Sequence, residues 1–260
     1  MPAPKSNLLL SALSPQSRSE ILLLSQESPL PVRTSLYVQD HTPKYAFFPI
    51  SGFASVVVGL AEGGSVETSL IGREGLVGGM ALLGSTRPLS QCFMQMGGSG
   101  FRIPFDALQR LFRTSEEIRT RILECVQQQS MTTSQLTACN KLHDAESRLA
   151  RWLLMVADRT QETSFRLTQE FIAEMLGTRR TTVALVAGTL QRAGLIEYSR
   201  GKITIPSREN LATAACECYA VTQRLLDNLY RGSSANGITV PRDSLLATCE
   251  IVPMAGIRIP

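Results

Sequence analysis

Two hundred and sixty residues, 43% of them apolar, provide for one large or two ordinary domains around a real core. The 26 lysines and arginines exceed the 22 acids by only four, so composition alone does not mark a nucleic-acid binder and the distribution of charge must decide. No apolar run approaches the ~18–20 residues of a membrane span, the N-terminus lacks the apolar core and cleavage site of a secretory signal, and the chain reads as cytoplasmic.

Residues 7–24 read as helix, with Leu8, Leu9, Leu13, Ile21, Leu22 and Leu24 on the apolar side and Pro15 opening a second short turn. From about residue 30 the texture changes to short β-type runs, LYV, YAFFPI, GFASVVVGL, SVETSLI, CFMQM and GFRIP, separated by turn signals such as AEGG, GREG and GSTRP. Many short strands at close spacing predict a small antiparallel barrel or jelly roll.

Helix returns after Pro104. FDALQRLF is one short helix, and residues 115–142 form a long one without Gly or Pro. Ser115 is placed to cap it, with Glu116 and Glu117 near its positive end. Ile118, Ile122, Cys125, Gln129, Thr132, Leu136 and Cys139 alternate four- and three-residue spacings, a heptad seam that is polar in the middle. A helix of ~40 Å overshoots a small barrel, so the seam is predicted to pair two copies of the chain; the alternative is a packing helix buried in one subunit.

A domain boundary is set near residues 142–144. HDAESRLARWLLMVADRT begins the next helix, with Leu149, Trp152, Leu153 and Val156 inward, and QETSF is a loop. Thr168 caps QEFIAEML, Gly177 supplies a tight turn, and Thr178 is suited to cap a helix running from Arg179 to about Ala193. Val183, Val186, Ala187 and Leu190 give that helix a buried face. Arg179, Arg180, Thr181, Ala184 and Leu185 lie opposite, and Gly194 ends it. LIEY and KITI are short strands around Arg200 and Gly201, and RENLATAACECYAVTQRLLDNLY is a last helix. Residues 231–260 are expected to be a weakly ordered extension, with SLLATCEIVPM the stretch able to pack.

Helix, tight turn, helix and β wing is a unit whose second helix enters the DNA major groove. Between residues 176 and 205 five basic residues (Arg179, Arg180, Arg192, Arg200, Lys202) face one acid (Glu197), which matches the net charge of the whole chain. Arg180 is predicted to read a base, since an arginine grips guanine O6 and N7 with two hydrogen bonds. Arg179 reads a base or holds a phosphate. Thr181 and Leu185 complete the base-reading face, Leu185 against a thymine methyl unless it simply packs. Thr168, Thr182, Arg200 and Lys202 suit phosphate contacts, which position without specifying sequence.

Cys92, Cys125, Cys139, Cys216, Cys218 and Cys249 are scattered, with no CxxC pair. Cys216-x-Cys218 lacks nearby partners, and His41 and His143 are far apart in sequence. The pattern predicts reduced, buried thiols and no metal site. The chain carries no Gly-rich phosphate loop, no GxSxG and no HExxH, so it is not read as an enzyme.

Over roughly residues 7–230 the chain resembles the Crp/Fnr family of bacterial transcription regulators. The resemblance rests on the β-type region, the long helix, and TQEFIAEMLGTRRTTVALVAGTLQRAGLI followed by GKITI, together with YAFFPISG and LIGREGLVGG. It implies an α+β fold in four parts: a β-roll sensor (a cyclic-nucleotide-binding-like jelly roll) over 1–114, a dimerisation helix over 115–142, a winged helix-turn-helix over 143–230, and an extension over 231–260. It also implies a homodimeric, sequence-specific regulator whose partners are an inverted repeat in double-stranded DNA, a second copy and RNA polymerase, with no membrane.

The sensor loop EGLVGGMALLGSTRPLSQ departs from that pattern. Gly79 stands where cyclic-nucleotide members carry the Glu that holds the ribose. Pro88 and Leu89 stand where they carry the Arg-Ser/Thr that grips the phosphate, with Arg87 one place away. Gly78, Gly79, Arg87 and Ser90 mark this pocket, and since a buried cyclic phosphate needs a cation and oriented donors, no cyclic nucleotide is expected there. The effector is left unknown. No cysteine precedes Cys92, so the family's N-terminal iron–sulfur cluster is not supported, nor is haem. Thr181 and Leu185 replace the Glu and Arg of the best-known readers, so a different operator is expected. The alternative reading is a ligand-binding regulatory module that uses its helix-turn-helix for protein contacts.

Overall fold

The computed structural model describes residues 6–61, 64–84 and 87–230. Two short helices, α1 (Leu8–Ser11) and α2 (Pro15–Leu23), precede seven strands: β1 (Gln26–Leu30), β2 (Ser35–Tyr37), β3 (Tyr45–Pro49), β4 (Phe53–Gly59), β5 (Ser65–Ile71), β6 (Gln91–Met96) and β7 (Gly98–Pro104). They form two antiparallel sheets, ordered β1-β7-β3 and β2-β6-β4-β5. The expected β-roll is thus present. Strand β1, QESPL, escaped the sequence reading because it is polar and holds a proline; it lies at a sheet edge, where Pro29 has no ladder bond to lose.

Alternation along β4 sends side chains to two different cores. Ala54 fills the roll with Ile71 and Met94, whereas Phe53 and Val57 face outward with Leu70. The helices that follow cover that outward face.

Helix α3 (Phe105–Thr114) leads into α4 (Glu116–Leu142), 27 residues capped by Ser115, whose Oγ accepts from the Ile118 N–H. Glu117 does more than complement the α4 dipole. Its carboxylate accepts from the Ser14 N–H and Oγ at 2.7 Å each and from Ser17 Oγ, tying down the start of α2, and these bonds, Ser17 first, hold it below the usual carboxylate range. Leu24, expected on the apolar side of the N-terminal region, is exposed.

The heptad seam faces its own chain rather than a partner helix. Ile118, Ile122, Cys125, Thr132, Leu136 and Cys139 are all buried inside the single chain. Gln129 donates to the Leu76 carbonyl at 3.3 Å, and Thr132 accepts from Gln128, so the polar middle of the seam is satisfied within the subunit. A stripe at heptad spacing looks the same whether a partner helix or the rest of its own chain covers it. The outward face of α4 instead carries Thr120, Leu123, Gln127, Ser130, Met131 and Ser134.

Helix α5 (Ala145–Thr160) is capped by Asp144, which accepts from the N–H groups of Glu146 and Ser147 at 2.9 Å each. Residues 148–157 are buried on every side. The roll covers one side of the helix and the helix-turn-helix the other, so Phe53, Val57 and Leu70 share one core with Trp152, Leu176 and Val183. Residues 142–144 therefore mark a change of element rather than a break in the core.

After the helix-turn-helix, the predicted last helix is two: α8 (Arg208–Ala214) and α9 (Cys218–Tyr230). Ala215 is extended, and the chain turns without a glycine or proline. Asp158 of α5 anchors the turn, accepting from Arg208 and from Tyr219 Oη at 3.0 Å. The expected extension over 231–260, with Cys249, lies outside the described residues.

Candidate nucleic-acid interface

Helix α6 (Gln169–Leu176) begins at Thr168, whose Oγ1 accepts from the Phe171 N–H at 3.2 Å. It stops at Gly177, which adopts φ +57°, and a Cβ there would stand 3.1 Å from Val66 of β5. The turn thus needs glycine both for its conformation and for its close approach to the roll.

Helix α7 (Arg180–Arg192) starts one residue later than predicted. Arg179, not Thr178, is the extended cap residue, and no side chain caps the helix. The N–H groups of its first turn have no local side-chain acceptor, and the first turn holds no acid. Val183, Ala187 and Leu190 are buried, with Val186 half-buried. Arg179, Arg180, Thr181 and Leu185 are exposed on the other side and Thr182 is half-buried. Leu185, at 66% exposure, is not a packing residue. Gly194, at φ +71°, closes the helix with its N–H on the Gln191 carbonyl.

The wing has three strands rather than two: β8 (Ser164–Arg166), β9 (Glu197–Ser199) and β10 (Lys202–Thr204), ordered β8-β10-β9. Arg200 at φ +48° and Gly201 at φ +73° make the two-residue hairpin turn, whose twist requires both positive angles. That turn exposes Arg200 and Lys202. Strand β8 was expected to be loop because three residues show no periodicity. It sets exposed Arg166 directly opposite Lys202, a like-charge pair that disfavours the sheet unless an anion sits between. Sequence reasoning missed Arg166.

Among the described residues, Arg166, Arg179, Arg180, Arg200 and Lys202 have no carboxylate within 4.0 Å. Thr168 is exposed two residues beyond Arg166. With Arg166 it lines a cleft of about 520 Å³ whose far wall is Val32, Arg33 and Ser35 of the roll.

The four sensor residues have different surroundings. Gly78, at φ +90°, lies against Ala46, and Gly79 opens a 3₁₀ turn (Gly79–Leu83) packed on α4. A Cβ at Gly79 would meet Val126 at 3.1 Å and Leu76 at 3.3 Å, so a glutamate has no room without displacing them. Arg87 is exposed, and Ser90 Oγ lies 3.3 Å from Tyr37 Oη.

The expectation that Cys216 and Cys218 lack partners is overturned. The turn between α8 and α9 sets them beside Cys139 and His143 at the end of α4, with one donor atom from each of the four within 4.8 Å of the others. The available signals were Cys139-x₃-His143, one helical turn apart, and Cys216-x-Cys218; nothing in the intervening chain links them.

A β-roll joined through a long helix to an exposed, cationic winged helix-turn-helix defines a class of architecture. Residues 147–214 match the Crp-like helix-turn-helix domain. Among curated proteins the chain is similar to Electron transport regulator A of Shewanella oneidensis, 28% identical over 110 residues, a match that spans 40% of this chain and 44% of that protein. Its fold is similar to that of a Crp/Fnr-family regulator from Eubacterium rectale (TM-score 0.64, 18% identity, 79% of this chain and 96% of that one). It is also similar to FixK2 from Bradyrhizobium japonicum (TM-score 0.62, 15% identity, 74% and 98%). Residues 147–214 thus carry a Crp-like helix-turn-helix domain, on a fold similar to that of Crp/Fnr-family regulators. No helix among the described residues is long and apolar enough to cross a membrane.

Proposed function

We propose that this chain is a homodimeric, sequence-specific DNA-binding transcription regulator of the cytoplasm whose β-roll does not take up cyclic nucleotide. The observation that carries the reading is the set of exposed cations on α7 and the wing that, among the described residues, have no carboxylate partner. Arg179 and Arg180 lead α7 into the groove, with Thr181 and Leu185 completing the base-reading face. Arg200, Lys202, Thr182 and the newly found Arg166 hold phosphates, with Thr168 at the edge of the contact.

The roll supports the second half of the reading, because Gly79 packs against Val126 where a ribose-binding glutamate would stand. Dimerisation uses the outward face of α4, where Leu123 and Met131 are exposed, along with Met80 and Leu83 of the 3₁₀ turn. The partners are then a second copy, an inverted repeat and, for a regulator, RNA polymerase.

Selection of bound duplexes from a random pool, with and without cyclic AMP, tests this. The expected result is an inverted repeat, enriched without nucleotide, with half-sites about one turn (~34–36 Å) apart. No preference over random duplex overturns the reading, and enrichment only with cyclic AMP overturns its sensor half.

A further inference from the structure

Where the end of α4 passes the turn between α8 and α9, four side chains from two distant segments converge. Cys139 lies in the last turn of α4 and His143 directly follows that helix; Cys216 lies in the turn and Cys218 opens α9. Three sulfurs and one ring nitrogen lie within 4.8 Å of one another.

The spacings fit a single ion. Tetrahedral Zn²⁺ with Zn–S ≈ 2.3 Å and Zn–N ≈ 2.0–2.1 Å sets sulfurs about 3.8 Å apart and sulfur about 3.5 Å from nitrogen. Here Cys139 Sγ is 3.5 Å from Cys216 Sγ, and Cys218 Sγ is 3.6 Å from His143 Nδ1. An iron–sulfur cluster interposes its own sulfides and holds its cysteines farther apart.

The surroundings fit as well. His143 Nε2 donates to the Glu217 carboxylate at 3.1 Å, which orients the ring and leaves Nδ1 facing the sulfurs, the usual arrangement behind a metal-bound histidine. Gln135 Nε2 donates to Cys218 Sγ at 3.1 Å. Nearby Arg148 and Arg151 are 9% and 3% exposed and, among the described residues, have no carboxylate within 4.0 Å. Among the described residues the Nε of each also lacks a hydrogen-bond partner. Buried cations without counter-charge are costly, and three thiolates around one Zn²⁺ carry a net −1. Arg151 stands close enough to Cys139 and Cys216 for its charge to act on both.

We infer that Cys139, His143, Cys216 and Cys218 form a structural Zn²⁺ site that clasps the α8–α9 turn to the end of α4. Four protein ligands close the coordination shell, so the site is structural rather than catalytic. Binding releases the three thiol protons to solvent, with no change of oxidation state. The ion gives the turn at residues 215–217 a cause that its sequence, without Gly or Pro, does not.

The test reads the metal itself and is independent of DNA binding. Full-length protein purified without chelators should hold one zinc per chain by elemental mass spectrometry. Exchange with Co²⁺ should give the intense visible bands of a tetrahedral, thiolate-bound ion. Glu217→Gln, at a side chain 74% exposed, should keep the fold and weaken zinc about 10-fold in chelator competition. Cys218→Ser should lose the metal, whereas Cys92→Ala, inside the roll, should retain one equivalent. Protein that neither contains nor takes up zinc or cobalt overturns the proposal. So does an octahedral cobalt spectrum, bound iron with sulfide, or a Cys139–Cys216 disulfide in the purified protein.

Discussion

The inner side of the helix-turn-helix, against the β-roll, and its outer side, along α7 and the wing, treat charge in opposite ways. On the inner side Trp152 Nε1 donates to Glu67 at 2.8 Å, Glu67 accepts also from Ser55, and Glu174 accepts from Ser65 at 2.6 Å. Arg159 meets Glu74 at 2.8 Å, both side chains nearly buried. Burial pushes the Glu67 carboxyl up to about 7, against the lowering pull of Ser55, Trp152, Arg159 and Arg151. On the outer side Arg179, Arg180, Arg200 and Lys202 stand exposed, with no carboxylate within 4.0 Å among the described residues. A buried polar group must be satisfied within the chain, whereas an exposed cation can stay unpaired until a partner brings the anion.

The largest test of that contrast is Trp152→Ala. Removing this fully packed ring should cost about 3–5 kcal/mol in denaturant unfolding, because it opens the core shared by roll and helix-turn-helix and takes a donor from Glu67. A loss near 1 kcal/mol would mean that the two halves do not share a core.

Glu67→Gln comes next. The carboxyl rises from 4.5 to about 7 on folding, so between those values the folded state binds the extra proton. Its contribution is greatest below pH 4.5 and falls as pH rises towards 7, by about 3 kcal/mol, then stays level. Glutamine cannot ionise, so the variant should lose that decline. Urea midpoints at pH 5 and pH 7.5 measure it, and equal slopes in both proteins would show that Glu67 titrates as if solvated.

On the outer side, Arg180→Ala should lower affinity for the selected operator by about 1–3 kcal/mol and relax the preference at one base pair of each half-site. Lys202→Ala should have the smallest effect. It should weaken all duplexes alike and reduce the slope of log K against log salt by about one per half-site. Fluorescence anisotropy over a salt series separates the two, and a sequence-dependent loss on Lys202→Ala would move that residue from the phosphates to the bases.

Local regularity made the reading unit visible. Val183, Ala187 and Leu190 share one helical face, Gly177 and Gly194 supply the positive φ angles at the ends of the two helices, and the arginines follow Gly177 after one threonine. The roll was legible too, except for β1, whose polar residues and Pro29 suit an edge; in the wing β8 was too short to show a period. The seam of α4 was found but assigned to the wrong neighbour. Periodicity says which side of a helix is covered and says nothing of what covers it.

By itself, then, the sequence determined the order of elements, the buried faces, the glycine turns and the cationic lead of α7. These depend on residues within a turn or two of one another, where backbone geometry fixes the spacing. Tertiary structure decided that the seam of α4 is covered by other parts of its own chain, that Glu67 lies under Trp152, and that Arg166 faces Lys202. It also decided that Cys139 and His143 meet Cys216 and Cys218. Those pairings join segments tens of residues apart, and only the packing of helices on the roll and on one another brings them within bonding distance.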